Sequence, residues 1–226
     1  MNKLQRLKSE IQRLPEKRNL ADLVGVLQKY NTQMMNAVDI LTQTQNCSAY
    51  VKIVSKDADL KLITDKIDQA AKTAQRLRKS LSDKIENIKN ADDKVFTIES
   101  TAKSASTTLR DRWRTLLQSK IETYEKLVKA ASDANLQGSD TLSQTLGRLR
   151  GKAELLPESE EKALKISEEL ESVSSSIETL GLQGKVGEFL TAAANGNATA
   201  QMLLEAEVQE FIEQNKLWSA LSVKLG

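Results

Sequence analysis

The chain has 226 residues, a formal net charge of +2, 39% hydrophobic residues and only 4% aromatic ones, a composition that favours helices joined by narrow apolar seams over an aromatic-rich core. It contains no His and one Cys, Cys47, which excludes a histidine general base, a histidine-liganded zinc, a Cys–His nucleophile and an internal disulfide. No apolar run reaches the length of a membrane span, and the first residues lack the apolar core of a secretion signal. We therefore expect a cytoplasmic location and no membrane partner.

Glycine and proline, the residues that interrupt helices, are unevenly distributed. The 112 residues of 26–137 contain neither, whereas eight of the nine glycines occur from Gly138 onward. Because both residues are unfavourable inside helices, the first region is predicted to form long helices and the last region shorter elements joined by loops.

Apolar residues in the first region recur at alternating steps of three and four. The first such helix is predicted to end or kink at Pro15. Further seams run over 60–85 and, with one slip in register, over 95–131. Small polar residues fill 100–108, where thin packing is expected. This spacing is typical of helical bundles and coiled coils. The seam after Pro15 consists of Leu20, Leu23, Leu27, Tyr30, Met34, Ala37 and Leu41.

Three places in the first region are candidate turns: 42–48, 55–59 and 90–93, with Ser55, Asp57 and Asp92 as candidate caps. Two all-α architectures follow. One is an elongated helical bundle that turns near 55 and 91. The other is a long antiparallel coiled-coil hairpin, which runs out along 19–89 and returns along 93–134 and 140–180. Both predict a helical rod over 1–180.

The last part of the chain has a different pattern. A loop near Gly138 precedes shorter helices, and four glycines interrupt the apolar spacing after residue 180. We predict a small C-terminal helical docking module over 182–226, whose last apolar residues, 217–225, form a short strand or a final helical turn. Its aromatic residues Phe189, Phe211 and Trp218 form either a small core or an interface for a partner.

No catalytic or nucleotide-binding signature is present. The sequence lacks the glycine patterns that cradle phosphates, and Gly181, Gly184 and Gly187 follow a predicted helix rather than a strand. Acidic pairs such as Asp92 and Asp93 begin predicted helices, where carboxylates favour the helix dipole. The sequence therefore predicts no enzyme, no cofactor and no metal.

Two basic clusters are candidate contacts for a partner or for phosphates. Residues 1–137 carry 25 Lys and Arg against 17 Asp and Glu, whereas 138–226 carry 8 against 14. Each cluster has an alternative interpretation, as solvated charges beside a buried seam. The candidates are Arg110, Arg112, Trp113 and Arg114 in one cluster and Lys72, Arg76 and Lys79 in the other.

These patterns favour a non-enzymatic structural or adaptor subunit. Its partner is expected to be another protein subunit or a second copy of the chain, bound through coiled-coil surfaces and the C-terminal module. An accessory subunit of a nucleic-acid-handling complex is the main alternative, since a basic helical surface neutralises phosphates. A membrane-active helical protein is the least favoured option, because the least charged segments are small and polar rather than apolar.

Overall fold

The computed structural model describes residues 3–83 and 91–219, and over these ranges the chain is helical with no strand. The all-α prediction is confirmed. The described helices are α1 (Lys3–Val54), α2 (Lys61–Asp83), α3 (Asp92–Asp133), α4 (Ser139–Lys152), α5 (Glu160–Thr179), α6 (Gly184–Ala194), α7 (Ala200–Leu203) and α8 (Ala206–Gln214), followed by a 3₁₀ turn at Leu217–Ser219. The remainder of the predicted C-terminal strand or turn lies outside the described residues.

Helix α1 is 52 residues long and continues through two places where the sequence predicted an interruption. It does not end at Pro15, because proline removes one hydrogen bond of a long ladder that the other turns maintain. The predicted turn at 42–48 is also wrong. There the hydroxyl of Thr44 donates to the carbonyl of Ile40 and that of Ser48 to the carbonyl of Gln45, each at 2.7 Å. These polar side chains bond to their own helix instead of capping a new one.

The predicted turn after α1 is confirmed, with a different cap. The amide of Ser55 donates to the carbonyl of Val51, and the amide of Ala58 donates to the carbonyl of Ser55. The side chain of Asp59, rather than Ser55 or Asp57, accepts from the amide of Lys61 at the start of α2. The predicted turn near 91 lies partly outside the described residues. Helix α3 begins at Asp92, and the carbonyl of Ala91 accepts from the amides of Lys94 and Val95, so Asp92 is the first helical residue rather than the predicted cap.

The chain forms two compact units whose bounds differ from the predicted division into 1–180 and 182–226. Unit 1 comprises residues 1–49 and 59–109, and unit 2 comprises 50–58 and 110–226. The C-terminal segment therefore belongs to the same unit as the second half of α3 and α4–α5.

In unit 1, α2 runs antiparallel to α1 and α3. The middle of α1 lies beside the start of α3, since Lys29 pairs with Asp92 at 3.5 Å and Gln33 donates to Glu99 at 3.1 Å. The ammonium of Lys66, near the start of α2, instead donates to Thr108. The chain thus passes up, down and up, as in the bundle alternative. The alternative hairpin, which runs out along 19–89, does not fit these contacts, because α1 ends at Val54 and α2 runs in the opposite direction.

The middle of α3 packs closely despite its small residues, so the expectation of thin packing over 100–108 is wrong. Ala102 and Ala105 are fully buried, and Ala70 of α2 is almost fully buried. Lys66 reaches the hydroxyls of Ser104 and Thr108, with Nζ–Oγ distances of 2.8 and 2.7 Å. Small side chains let helix backbones approach, and the two hydroxyls satisfy an ammonium group that is partly removed from water.

The seam predicted over 20–41 divides between two faces of α1. Tyr30 and Ala37 are buried in the core of unit 1, and Leu23, Met34 and Leu41 are partly buried against it. The other two members of that seam, Leu20 and Leu27, are exposed. Helix α1 therefore has a core-facing seam and a second, exposed set of apolar residues.

Unit 2 is built around larger side chains. Its second half of α3 buries Trp113, Leu117 and Ile121, and α4 packs on α5. Helix α5 begins at a Ser159 cap, whose hydroxyl accepts from the amide of Lys162. Helix α6 packs on α8, and their buried apolar residues are Val186, Phe189, Leu190, Val208, Phe211 and Ile212.

Candidate functional site

The arginine cluster on α3 does not converge on one point. Trp113 is only 1% exposed, and its indole Nε1 donates to the carbonyl of Lys152 at 3.3 Å. It fills the core of unit 2 and satisfies a carbonyl at the end of α4, so it offers no surface to a partner in this conformation. Arg114 is paired with Glu154 at 2.5 Å.

The two other arginines, Arg110 and Arg112, are exposed, and neither has an ion pair within the described part of the chain. Residues two apart point to different sides of a helix, so Arg112 faces away from Arg110. The cluster therefore supplies two separate cationic side chains.

The basic residues of α2 share a stripe with acidic ones. Lys72, Arg76 and Lys79 are all exposed. Lys72 and Arg76 line a shallow depression of about 350 Å³ together with Asp65 and Asp68. The carboxylates lie nearer the helix N-terminus and the cations nearer its C-terminus, the arrangement that the helix dipole favours. The neighbouring carboxylates repel phosphate groups, so this surface is less suited to binding a nucleic-acid backbone than a purely basic one.

The C-terminal aromatic residues separate into core and surface. Phe189 and Phe211 are buried, and the ring of Phe211 packs over Gly181, where the chain turns with a φ of 67°. Trp218 is 51% exposed, although Leu217 beside it is buried. Of the three candidate docking residues, the structure leaves only Trp218 available to a partner.

A groove in unit 2 was not predicted from the sequence. It has a volume of about 950 Å³ and lies between the second half of α3, the end of α5 and the segment 182–202. Gly187 makes it possible, because a Cβ atom there would overlap the carbonyl oxygen of Leu182 and lie 2.9 Å from Cδ2 of Leu127. Only glycine lets the first turn of α6 lie this close to the carbonyl of Leu182. The glycine-interrupted pattern of 181–187 was the one sequence signal for it.

The groove combines apolar and uncharged polar groups. Its apolar lining comes from α3, α5 and the C-terminal segment, and its polar lining is dominated by amides and hydroxyls. The only charged residues in its lining are Lys126 and Glu188, and Glu188 is paired with Lys185 at 3.3 Å. The apolar members are Leu127, Ile177, Leu182, Ala192 and Met202, and the uncharged polar members include Thr123, Ser174, Gln183, Thr191, Asn195 and Asn197.

The charged groups with shifted pKa values lie on helix surfaces. Hydrogen bonds from Lys162 and Lys165 lower the pKa of Glu158 and Glu161 respectively, and Glu161 raises the pKa of Lys165. The hydrogen bond from Lys103 lowers the pKa of Glu99. These partners are four residues apart, so the shifts arise from local pairs within α3 and α5 and at the start of α5.

The described ranges show neither a metal-binding cluster nor a membrane-spanning helix. No group of three or more acidic or cysteine side chains there is placed to hold a metal ion. No helix there combines the length and apolar character needed to cross a bilayer.

No family model, no curated protein and no solved structure matches the chain.

Proposed function

We propose that the chain is a non-enzymatic structural or adaptor subunit that binds a segment of a partner protein in the groove of unit 2. The observation that carries this proposal is the lining of that groove, which places an apolar floor beside amide and hydroxyl groups. Apolar floors accept the anchoring side chains of a bound helix or strand. Side-chain amides can both donate and accept, as peptide groups do.

The C-terminal segment is still a docking element in this function, but its two phenylalanines do not contact the partner. Phe189 and Phe211 hold the segment in place from inside the core, while residues of 182–202 form one wall of the groove. Deleting 182–226 would remove buried residues along with this wall. A substitution within the groove is the sharper test.

The test uses Ala192→Arg, which places a long cation in the groove, and Ala194→Arg as its matched control. Ala192 lines the groove, whereas Ala194 is exposed on the same helix and lies outside the lining. Tagged wild-type and variant chains are purified from their own host, with and without nuclease, and co-purifying proteins are quantified by mass spectrometry. A stoichiometric partner that survives nuclease and Ala194→Arg, but is lost with Ala192→Arg, is the expected result. A partner retained equally by both variants would place binding elsewhere.

The alternative function, as an accessory subunit of a nucleic-acid-handling complex, is favoured by one observation. Arg110 and Arg112 are exposed cations with no ion pair in the described part of the chain. Under this alternative, the chain binds random-sequence duplex DNA with an affinity that falls steeply as salt rises. Arg110→Gln combined with Arg112→Gln would then weaken binding, whereas an adaptor shows no such binding near physiological salt.

A further inference from the structure

An exposed apolar stripe runs along α1, on a different surface from the groove. The α1 stripe consists of Leu20, Val24, Leu27, Asn31, Met35 and Val38, spaced by four, three, four, four and three residues. At 3.6 residues per turn, all six positions fall within about 80° of one another around the helix. Its five apolar side chains remain 61%, 50%, 40%, 58% and 53% exposed in chain order.

The α1 stripe is separate from the core face of the same helix. Tyr30 and Ala37 mark that core face, and both are buried. They lie about 100° around the helix from the stripe. Unit 1 therefore fills its own core without the stripe, and nothing in the described part of the chain covers it.

The residue types in the α1 stripe indicate what covers it. With Leu20 and Leu27 at d positions of a heptad, Val24 and Val38 fall at a positions. β-Branched residues at a with Leu at d favour two parallel strands. Asn31 occupies the a position between the two valines. A single Asn at an a position fixes the register of a parallel pair, because the two amides meet across the axis.

The hydrogen bonding of Asn31 supports the same partner. Its side-chain nitrogen contacts the sulfur of Met35 at 3.7 Å, and a thioether is a weak acceptor. A second Asn31 would offer a carbonyl oxygen in its place. Met34 occupies the next d position of the heptad, but it is partly buried in the core of unit 1. The neighbouring residue, Met35, is exposed and continues the stripe in its place.

Charge argues against a polyanionic or strongly charged partner. Residues 19–50 contain only three charged side chains, Asp22, Lys29 and Asp39, and none belongs to the α1 stripe. A neutral face offers nothing to phosphates or to lipid headgroups, and it does not repel a copy of itself. We propose that the α1 stripe pairs with the α1 stripe of a second copy of this chain, parallel and in register.

The size of the stripe sets the strength of this pairing. Its length of about 27 Å, multiplied by a width of about 10 Å, gives a contact of roughly 270 Å² per copy. Stable dimers bury about 800 Å² per partner. The dimer is therefore weak, with a dissociation constant on the order of micromolar or above, and it dissociates on dilution.

Analytical ultracentrifugation of the full chain over about a 100-fold range of concentration tests the pairing. The wild type is expected to shift from 25.1 kDa toward twice that mass as concentration rises. Leu27→Glu is expected to remain monomeric, whereas Leu62→Glu, at an exposed leucine of α2, should dimerise as the wild type does. Circular dichroism checks that both variants are folded. A monomeric wild type, or equal effects of the two variants, overturns the proposal.

Disulfide cross-linking tests the direction and the register. Leu20→Cys and Val38→Cys are each placed in a Cys47→Ala background, which removes the single native thiol. Parallel, in-register pairing cross-links each variant to itself. Cross-links that form only when the two variants are mixed would show antiparallel pairing and overturn the proposal.

A third variant tests the role of Asn31. Asn31→Val should lower the dissociation constant at least tenfold, since a buried polar residue at this position weakens the pairing that it specifies. An unchanged dissociation constant would place Asn31 outside the interface and contradict the assigned register. Loss of self-association would leave the groove proposal intact, because Ala192 belongs to a different surface.

Discussion

The two halves of α3 fill space in opposite ways. In unit 1, the first half buries Ala102 and Ala105 at its middle, and the helices approach closely enough for Lys66 to bond two hydroxyls of α3. In unit 2, the second half buries Trp113 and Leu117. One continuous helix thus packs by backbone approach around residues 102–105, between the buried Ile98 and Leu109, and by side-chain volume around residues 113–121. Enlarging a buried side chain should therefore destabilise the first part, and truncating one should destabilise the second.

The largest effect is expected from truncation in the second half. Trp113→Ala should lower the free energy of unfolding by about 3–5 kcal/mol, because it leaves a cavity and removes the donor to the carbonyl of Lys152. Urea unfolding followed by circular dichroism measures the change. Trp218→Ala is the matched control at a half-exposed tryptophan and should cost far less. Equal effects of the two variants would show that Trp113 does not carry the core of unit 2.

Unit 2 also contains one close approach, at Gly187 of α6, whose neighbours are Leu182 and, in α3, Leu127. Gly187→Ala should cost about 1–3 kcal/mol or more, since the added carbon overlaps the carbonyl oxygen of Leu182. Gly147→Ala in α4 is the control, and its effect on stability should have the opposite sign, because nothing lies within 4 Å of the added carbon. It should stabilise by about 0.5–1 kcal/mol through helix propensity. Thermal and urea midpoints of both variants check the signs, and stabilisation by Gly187→Ala would contradict the close packing of α6.

In the first half, enlargement is the informative change. Ala105→Leu should cost about 1–3 kcal/mol, because no space is left beside this fully buried alanine. Thr107→Leu, at an exposed position two residues away, should change stability little. If Ala105→Leu proved neutral in urea unfolding, unit 1 would be packed more loosely than the structure indicates.

The smallest effect concerns Tyr30, the large aromatic side chain in the core of unit 1. Burial raises the pKa of its phenol above 10.0, and the hydrogen bond to Asp92 and the charge of Asp92 raise it further. The protonated phenol therefore contributes stability below pH 10, the ordinary pKa of tyrosine, and this contribution is lost as pH rises through the higher folded value. Urea midpoints measured from neutral to alkaline pH should show a fall that Tyr30→Phe reduces. Tyr50→Phe should retain the fall, and a Tyr30→Phe curve parallel to wild type would contradict the shift.

Much of the fold follows from the sequence, with clear limits. The absence of Gly and Pro over 26–137 predicts long helices, and the turn at 55–59 was found correctly. The predicted interruption at Pro15 was wrong. The unfavourable helix propensity of one proline does not show whether the neighbouring helical turns compensate for the hydrogen bond that it removes. The apolar spacing of α1 also led to a seam that mixes residues from two faces of the helix. A spacing of seven residues occurs on both faces, so spacing alone does not distinguish them. Only tertiary contacts separate Leu27 from Tyr30.

The candidate site could be predicted less well. Trp113 lies in register with a seam, and its burial agrees with that alternative interpretation of the arginine cluster. The groove could not be found, because its lining comes from residues between Thr123 and Met202 that are distant in sequence. Sequence spacing describes one helix at a time, whereas a groove depends on how closely two helices approach. At Gly187 the absence of a side chain permits a close approach to Leu182 that sequence spacing does not reveal.

The contrasting positions of Trp113 and Trp218 have an optical consequence. One indole is buried and hydrogen-bonded to a carbonyl, whereas the other is half exposed to solvent. Indole fluorescence shifts to longer wavelength in water, so the two residues emit at different wavelengths and differ in their access to a soluble quencher. A Trp218→Phe chain therefore has one emitter, located at the contact between α3 and α4. Its emission reports the packing of unit 2 without an attached label.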